Sequence, residues 1–357
     1  MIFSQFTAGS YLSMPNRIVM LALTRARAES DGTPTALMAE YYAQRATAGL
    51  IISEACSVSD VGRPFLTSPG MYTHEHALGW RAIVDAVHTA GSRIVLQINH
   101  CGRVNNLSHL RRPVRPVAPS AVGIPRDYRN ITINIPRVTP YEVPRALETE
   151  EIALVVEDFR HATRLAAWAG FDGVQVHADS GYLIHQFLST NVNLRTDRYG
   201  GTPENRARFA LEVVGAVTEV CGPEFVSVKF TPRHTVHDIV EDDASEKYDY
   251  LAHELNARGP LAFLHISSRQ ALSDPVVDIL RRTYKGTVLV EGSLTIDQYR
   301  DLIARSGTDL IGFGRPFIAN PDLVHRLRNT HPLAEFEPGT VYTPGPAGYT
   351  DYPSCDC

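Results

Sequence analysis

Short, continuous apolar runs recur along the chain, and each is followed by a segment whose apolar residues repeat with helical periodicity. Apolar runs without polar alternation are typical of parallel strands that are covered on both faces. The predicted strands occupy residues 17–20, 50–53, 93–98, 173–176, 225–230, 261–266, 287–290 and 309–313. The predicted helices occupy residues 35–48, 75–90, 148–169, 202–220, 243–258, 274–284, 295–304 and 320–328.

This alternation predicts an α/β fold, a (β/α)8 TIM barrel that forms a single domain over residues 1–357. Three of the helical patterns run into Gly49, Gly91 and Gly170, as expected for left-handed C-caps. A doubly wound sheet is the main alternative. It is disfavoured because no G-x-G-x-x-G sequence follows any predicted strand.

One long irregular stretch, residues 101–147, interrupts the alternation. It is rich in proline and arginine and includes RRPVRPVAPS at residues 111–120. Because it follows the third predicted strand, it leaves the barrel from the C-terminal face, where barrel enzymes carry their active sites. Loops of this length are usually functional or disordered. We predict a lid or substrate-binding excursion rather than a separate domain, with an inert surface loop as the alternative.

Composition and charge argue against large classes of partner. The chain has 357 residues, 44% of them hydrophobic, a net charge of −5 and no block of like charges. Nothing in this pattern indicates a nucleic-acid or membrane-surface partner. No apolar run has the length of a membrane span, and the N-terminal sequence does not resemble a signal peptide. We expect a soluble, cytoplasmic monomer or homodimer.

The cysteines support the same expectation. There are five, and only Cys355 and Cys357 lie close together. An odd number without a regular framework favours free thiols in a reducing cytosol. The terminal C-D-C sequence either binds a metal or is a frayed tail, and we favour the tail.

Polar side chains cluster just past the predicted strands, where a barrel gathers its catalytic groups. The densest group opens the stretch 177–209, HADSGYLIHQFLSTNVNLRTDRYGGTPENRARF, which follows the fourth strand. It places His177, Ser180 and Tyr182 at a strand end. A buried histidine in an ordered loop is the alternative interpretation. The stretch closes with Thr202 and Pro203, a typical helix start.

The loops after the last two predicted strands indicate a phosphate site. They read EGSLT at residues 291–295 and GFGRPF at residues 312–317. Barrels often bind phosphate with these two loops, and glycine lets backbone N–H groups approach an anion. Arg315 can grip phosphate oxygens with two parallel hydrogen bonds. The alternative is an arginine in a surface salt bridge.

The stretch 177–209 also resembles a known family. Its pattern is similar to HxxNGYLxxQFL…N.RTDEYGG…ENRARF, the signature of the old yellow enzymes, which are FMN-dependent ene-reductases. Further resemblance lies at residues 16–32, 38–55, 312–327 and 348–353, and it is weakest at 101–147. The resemblance implies an FMN site formed by Leu23, Thr24, Ala55, Gln97, His177, Lys229, Gly292, Ser293, Gly314 and Arg315.

The resemblance also implies the reaction. NADPH or NADH would reduce FMN, and the reduced flavin would then reduce the C=C bond of an α,β-unsaturated carbonyl compound. His177, assisted by Ser180, resembles the donor to the substrate carbonyl oxygen. Tyr182 resembles the group that protonates the substrate carbon. Asn99 and Tyr342 fall at positions that border the substrate.

Three positions depart from the family pattern. Ser180 stands where the family usually has Asn, Lys229 where it has Arg, and Asn99 where it has Trp. Lysine keeps the positive charge but loses the planar fork of arginine. Together these changes predict a specialised, more polar substrate, such as an intermediate of secondary metabolism.

Other functions remain open on the sequence. An FMN-dependent desaturase or double-bond isomerase could use the same residues. A non-catalytic binding protein is less favoured. A metal-dependent hydrolase is supported only by the HxxHD sequence at His234, His237 and Asp238, so we expect no metal site.

Overall fold

The computed structural model describes residues 2–105, 115–125, 141–268, 273–292, 294–305 and 308–355. Eight parallel strands form a closed barrel, which confirms the predicted fold. No strand end differs from its predicted position by more than two residues. The strands are β1 Ile18–Met20, β2 Leu50–Ile52, β3 Ile94–Asn99, β4 Gly173–Ala178, β5 Val226–Phe230, β6 Phe263–Ser267, β7 Val288–Glu291 and β8 Leu310–Phe313.

The strands pair in chain order, and β8 pairs with β1 to close the barrel. The register aligns Lys229 on β5 with His177 on β4 and with His265 on β6. One layer below, Gln97 on β3 aligns with Gln175 on β4. Polar side chains therefore form two layers across neighbouring strands near the C-terminal end of the barrel.

Helices surround the barrel, and most begin and end as predicted. Their bounds are α1 Ala36–Gln44, α2 His74–Thr89, α3 Thr149–Ala169, α4 Leu183–Leu188, α5 Pro203–Cys221, α6 Ala244–Ala257, α7 Pro275–Thr283, α8 Ile296–Arg305, α9 Pro316–Ala319 and α10 Leu323–Asn329. Thr202 caps α5 by accepting a hydrogen bond from Asn205 N, and Gly170 ends α3 in the left-handed conformation. Among the described residues, no helix is long and apolar enough to cross a membrane.

Two helix predictions need correction, and two short helices were not predicted. Helix α1 ends at Gln44, four residues early, and Gly49 is not its C-cap. Gly49 instead lies against the start of strand β1, where its N–H donates to Ile18 O. A Cβ atom at this position would overlap the backbone of Asn16, so glycine is required. The predicted helix at residues 320–328 begins only at Leu323 and is preceded by the short α9. Helix α4 was not predicted.

The barrel is apolar at its N-terminal end and polar at its C-terminal end. Inward side chains such as Val19, Leu50 and Leu289 pack against a hairpin, Phe6–Ala8 with Leu12–Met14, whose Leu12 and Met14 are buried with them. Each fully buried aliphatic side chain of this kind contributes about 1.5–3 kcal/mol to folding. This apolar base supports the polar end without contributing chemistry.

Part of the predicted excursion lies within the described residues. Val117–Ala118 pairs in parallel with Arg145–Ala146, and Val104 and Ile124 pack against Tyr182. Residues 106–114 and 126–140 lie outside the described residues, and they include only the first four residues of the RRPVRPVAPS sequence. The described part thus borders the candidate site.

Candidate active site

The turn after strand β4 places three predicted catalytic side chains. Ser180 and Gly181 both adopt positive φ angles, 57° and 72°. A Cβ atom on Gly181 would lie 2.7 Å from the carbonyl oxygen of Val236, so glycine is required there. Tyr182 N then donates to Asp179 O at 3.1 Å. The turn directs His177, Ser180 and Tyr182 to one wall of a cavity.

This cavity of about 410 Å³ opens at the C-terminal ends of the strands. It brings together most of the residues that the sequence proposed for the cofactor and substrate. Those that line it are Leu23, Thr24, Ala55, Gln97, His177, Ser180, Tyr182, Lys229, Arg315 and Tyr342.

Three of the described site residues that the sequence predicted, Gly292, Gly314 and Asn99, do not line this cavity. Gly292 N–H donates to the hydroxyl of Tyr299 at 3.2 Å, and Gly314 directly precedes Arg315. Ser293 lies outside the described residues. Asn99 is 1% exposed, and among the described residues neither its amide oxygen nor its amide nitrogen has a hydrogen-bond partner.

Asn99 nevertheless lies beside the cavity wall. Ile98 aligns with Val176 in the register of β3 and β4, and Asn99 and His177 are the residues that directly follow this pair. An unpaired buried amide costs about 1–3 kcal/mol, and such a group is a candidate partner for a ligand or a water molecule.

Aromatic rings surround Tyr182. The ring centroid of His177 lies 5.3 Å away in an edge-on arrangement, and that of His237 lies 6.0 Å away and is stacked. Burial lowers the pKa of both histidines to about 4 and raises the pKa of Tyr182 above its usual value. At neutral pH the wall therefore holds two neutral imidazoles and a protonated phenol.

A charged cluster that the sequence did not predict lies beside the cavity, which it reaches through Lys229. Lys229 Nζ lies 3.1 Å from Asp179 Oδ2 and 3.3 Å from Glu291 Oε2. Thr231 donates to Asp179 Oδ2 at 2.6 Å, and His177 Nδ1 lies 3.3 Å from Asp179 Oδ1. The sequence shows only a charged residue at or near the end of each of three otherwise apolar strands, which does not reveal that the three side chains pair.

Hydrogen bonds extend this cluster across the barrel. Gln97 Nε2 donates to Gln175 Oε1 at 2.8 Å, and Gln175 Nε2 lies 3.4 Å from His265 Nδ1. His265 Nε2 in turn lies 3.2 Å from Glu291 Oε2. Because buried polar groups are costly unless paired, this series of hydrogen bonds holds the Gln97 side chain in one orientation at the cavity.

Arg315 provides an anion site at the edge of the cavity. Its side chain is exposed, and within the described residues it makes no ion pair. It sits at the start of the short helix α9, directly after Gly314. A guanidinium in this position fits a phosphate group.

The C-terminal segment covers one side of the cavity through Phe336, Val341 and Tyr342. Two buried arginines from the loop after β1 hold it in place. Arg25 donates to Gly348 O at 2.6 Å, and Arg27 donates to Thr340 O at 2.8 Å. Sequence reasoning assigned no role to these arginines, although charged residues directly after a buried strand were a visible signal.

The described residues that suggested a metal site in the sequence make other contacts. His237 Nδ1 lies 2.8 Å from Ser180 O and the ring faces Tyr182. In the part of the chain that the structure describes, no three His, Cys, Asp or Glu side chains are grouped to hold a metal ion. Of the terminal C-D-C sequence only Cys355 is described, and its N–H donates to Asp322 Oδ2 at 2.8 Å.

The donors at this cavity fit FMN. Arg315 suits the phosphate, while Gln97, Thr24 and Lys229 offer polar contacts to a planar heterocycle, and Ala55 leaves room beside it. The cavity lies at the strand ends where barrel enzymes bind cofactors.

Comparisons with known proteins agree with this fit. Residues 1–334 match the model of the NADH:flavin oxidoreductase / NADH oxidase family. A probable flavin mononucleotide-dependent alkene reductase of Leishmania infantum is 40% identical, over 95% of this chain and 93% of that protein. A putative 12-oxophytodienoate reductase 5 of Oryza sativa subsp. japonica is 37% identical, over 98% and 93%.

A solved structure gives the same result. Morphinone reductase in complex with tetrahydroNAD superposes with a TM-score of 0.92 and is 42% identical, covering 99% of this chain and 98% of that one. The chain belongs to the old yellow enzyme family, and it is an FMN-dependent oxidoreductase that takes its electrons from a reduced nicotinamide.

Proposed function

We propose that the protein reduces the activated C=C bond of an α,β-unsaturated carbonyl compound that carries further hydrogen-bonding groups. The observation that supports this most directly is the placement of His177, Ser180 and Tyr182 on one wall of the cavity. When bound, FMN supplies the hydride for the β-carbon, which it has taken from NADPH or NADH.

His177 binds and polarises the substrate carbonyl oxygen. Burial keeps its imidazole neutral, with a pKa of about 4, so it acts by donating a hydrogen bond rather than as a full charge. This donation stabilises negative charge that grows on the oxygen as hydride arrives. The hydroxyl of Ser180 is the second donor, directly or through a water molecule.

Tyr182 delivers the proton to the α-carbon. Burial raises the pKa of its phenol, so the proton is held until the carbon becomes basic. Its ring is held between His177 and His237, which limits the directions in which the hydroxyl can point.

Two departures from the family pattern favour a polar substrate. Ser180 is shorter than asparagine, and a substrate hydroxyl or a water molecule would complete the carbonyl site. The unpaired amide of Asn99, two residues after the cavity-lining Gln97, can contact such a group through a water molecule. We infer that simple cyclic enones are poor substrates and that hydroxylated ones are better.

The test is turnover of cyclohexenone and of a hydroxylated cyclic enone with NADH and NADPH in deuterated water. We expect loss of the reduced nicotinamide, a product with one deuterium on the α-carbon, and faster turnover of the hydroxylated compound. An isomerase would incorporate deuterium without consuming the nicotinamide. A desaturase would oxidise the saturated ketone instead. Either result would contradict the proposal.

A further inference from the structure

The charged cluster beside the cavity has no assigned role in the proposed reaction. It consists of Asp179 at the end of β4, Lys229 near the end of β5 and Glu291 at the end of β7. Lys229 lines the cavity, and its ammonium lies within 3.3 Å of both carboxylates. Asp179 is 1% exposed.

All three groups are ionised. Burial opposes the charges, but Lys229 holds the pKa of Asp179 below its usual range and lowers the pKa of Glu291 to about 2. The two carboxylates in turn raise the pKa of Lys229 despite its burial. Burial lowers the pKa of the neighbouring His177 and His265, so both remain neutral. The cluster therefore carries a net charge of −1.

The sign of this charge matters for a bound flavin. A hydride brings two electrons and one proton, so a reduced flavin carries one more negative charge than an oxidised one unless a second proton follows. An isolated lysine ammonium would stabilise that charge, whereas two carboxylates paired with the ammonium offset this stabilisation. The Asp179 and Glu291 carboxylates thus oppose the effect expected from Lys229 alone.

We propose that Asp179 and Glu291 are redox-tuning residues that hold the reduction potential of bound FMN below the value that Lys229 alone would set. The inference rests on FMN occupying this cavity, as the proposed function requires. A lower potential makes the reduced flavin a stronger hydride donor. It therefore favours alkene reduction over desaturation and suits substrates whose C=C bond is only weakly activated.

The measurement is the two-electron midpoint potential of FMN in the unaltered holoenzyme and in Asp179→Asn and Glu291→Gln. Each substitution removes one negative charge at nearly constant shape. We expect the ratio of reduced to oxidised flavin at a given potential to rise about tenfold, which is a shift of about +30 mV for a two-electron couple. In each variant the ratio of the affinity for reduced FMN to the affinity for oxidised FMN should rise by the same factor of about ten.

Asp172→Asn is the matched control. Asp172 precedes the same strand, roughly 20 Å from Asp179, and is also paired with a histidine and a cation. Its substitution should leave the potential unchanged. If Asp179→Asn does not fold, Glu291→Gln decides alone.

The inference is overturned if the midpoint potentials of Asp179→Asn and Glu291→Gln are equal to, or lower than, that of the unaltered protein. The proposed function would then remain intact. An unaltered protein that takes up no FMN would overturn both.

Discussion

Asp172 and Asp179 flank the same barrel strand, and each lies beside a histidine and a cationic side chain. At the N-terminal end, the partners of Asp172 are His88 and Arg93. At the C-terminal end, the partners of Asp179 are His177 and Lys229. The same three kinds of group do different work at the two ends of one strand.

At the N-terminal end the contacts join structural elements. Asp172 Oδ2 accepts from Ile94 N at 2.8 Å and lies 2.8 Å from His88 Nε2, at the end of helix α2. The carboxylate thus links helix α2 and the start of strand β3 to the start of strand β4. No cavity residue takes part.

At the C-terminal end the pairing is incomplete. His177 Nδ1 and Asp179 Oδ1 are 3.3 Å apart, yet neither atom makes a hydrogen bond within the described residues. The unpaired Asn99 amide is nearby. Incomplete satisfaction of buried groups costs stability and is retained where a ligand uses it. The same residue types therefore stabilise the fold at the N-terminal end of β4 and form part of the candidate active site at its C-terminal end. The difference lies in whether their hydrogen bonds are complete.

The largest expected effect is at Tyr182. Tyr182→Phe should slow reoxidation of the reduced flavin by an enone by about 10²–10⁴-fold, because the α-carbon loses its proton donor. Reduction by the nicotinamide should be nearly unchanged. Both half-reactions are measured by rapid mixing. Tyr284→Phe, which removes another buried hydroxyl outside the cavity, is the control. Equal slowing of both half-reactions would mean that Tyr182 only shapes the cavity.

A smaller effect is expected for the phosphate contact. Arg315→Ala should weaken FMN binding by about 2–4 kcal/mol, as for a charge-assisted bidentate contact. Titration of the apoprotein, followed by flavin fluorescence, measures the change. Arg93→Ala, at the opposite end of the barrel, should leave FMN affinity unaltered. Equal losses in the two variants would show that general stability, and not the phosphate contact, is being measured.

A substitution at the N-terminal end of strand β4 should change the stability of the protein rather than its reaction with FMN or substrate. Asp172→Ala removes the acceptor for Ile94 N and the partner of His88, so the free energy of unfolding should fall by about 1–3 kcal/mol. Denaturant unfolding measures this. The FMN potential and the turnover of folded enzyme should stay at their original values. A changed potential would contradict the division between the two ends.

The smallest expected effect is a gain in turnover of cyclohexenone. Ser180 has a φ angle of 57°, a conformation that asparagine tolerates well, so Ser180→Asn should not strain the turn. The longer amide should reach the carbonyl oxygen and raise turnover of cyclohexenone by roughly tenfold. Ser180→Ala, which removes the hydroxyl donor, is the matched control variant. Rapid cyclohexenone reduction by the unaltered protein, with no gain in Ser180→Asn, would indicate a general ene-reductase.

The sequence predicted the barrel well because its strands and helix starts are local signals. Buried strands appear as continuous apolar runs, and Thr202 with Pro203 marks a helix start by local hydrogen bonding. Gly49 misled the prediction because a glycine that admits a neighbouring backbone looks the same as a glycine that caps a helix. Helix α4 is too short to show a periodicity.

The candidate site was only partly predictable. Residue type and position pointed to His177, Tyr182 and Arg315, each of which lines the cavity. The pairing of Asp179 and Glu291 with Lys229 depends on three strands that are far apart in the chain. Only the barrel register brings these side chains together, so no local pattern could reveal the cluster.

The central claim is that side chains at the C-terminal end of strand β4 hold an activated alkene for hydride transfer from reduced FMN and supply the proton. The most direct measurement follows the yellow flavin absorbance of the anaerobic protein, first with NADH or NADPH and then with a hydroxylated cyclic enone. We predict that the nicotinamide bleaches the flavin and that the enone restores its colour with formation of the saturated ketone. A protein that takes up no FMN, or a bleached flavin that oxygen restores and no enone does, would contradict the claim.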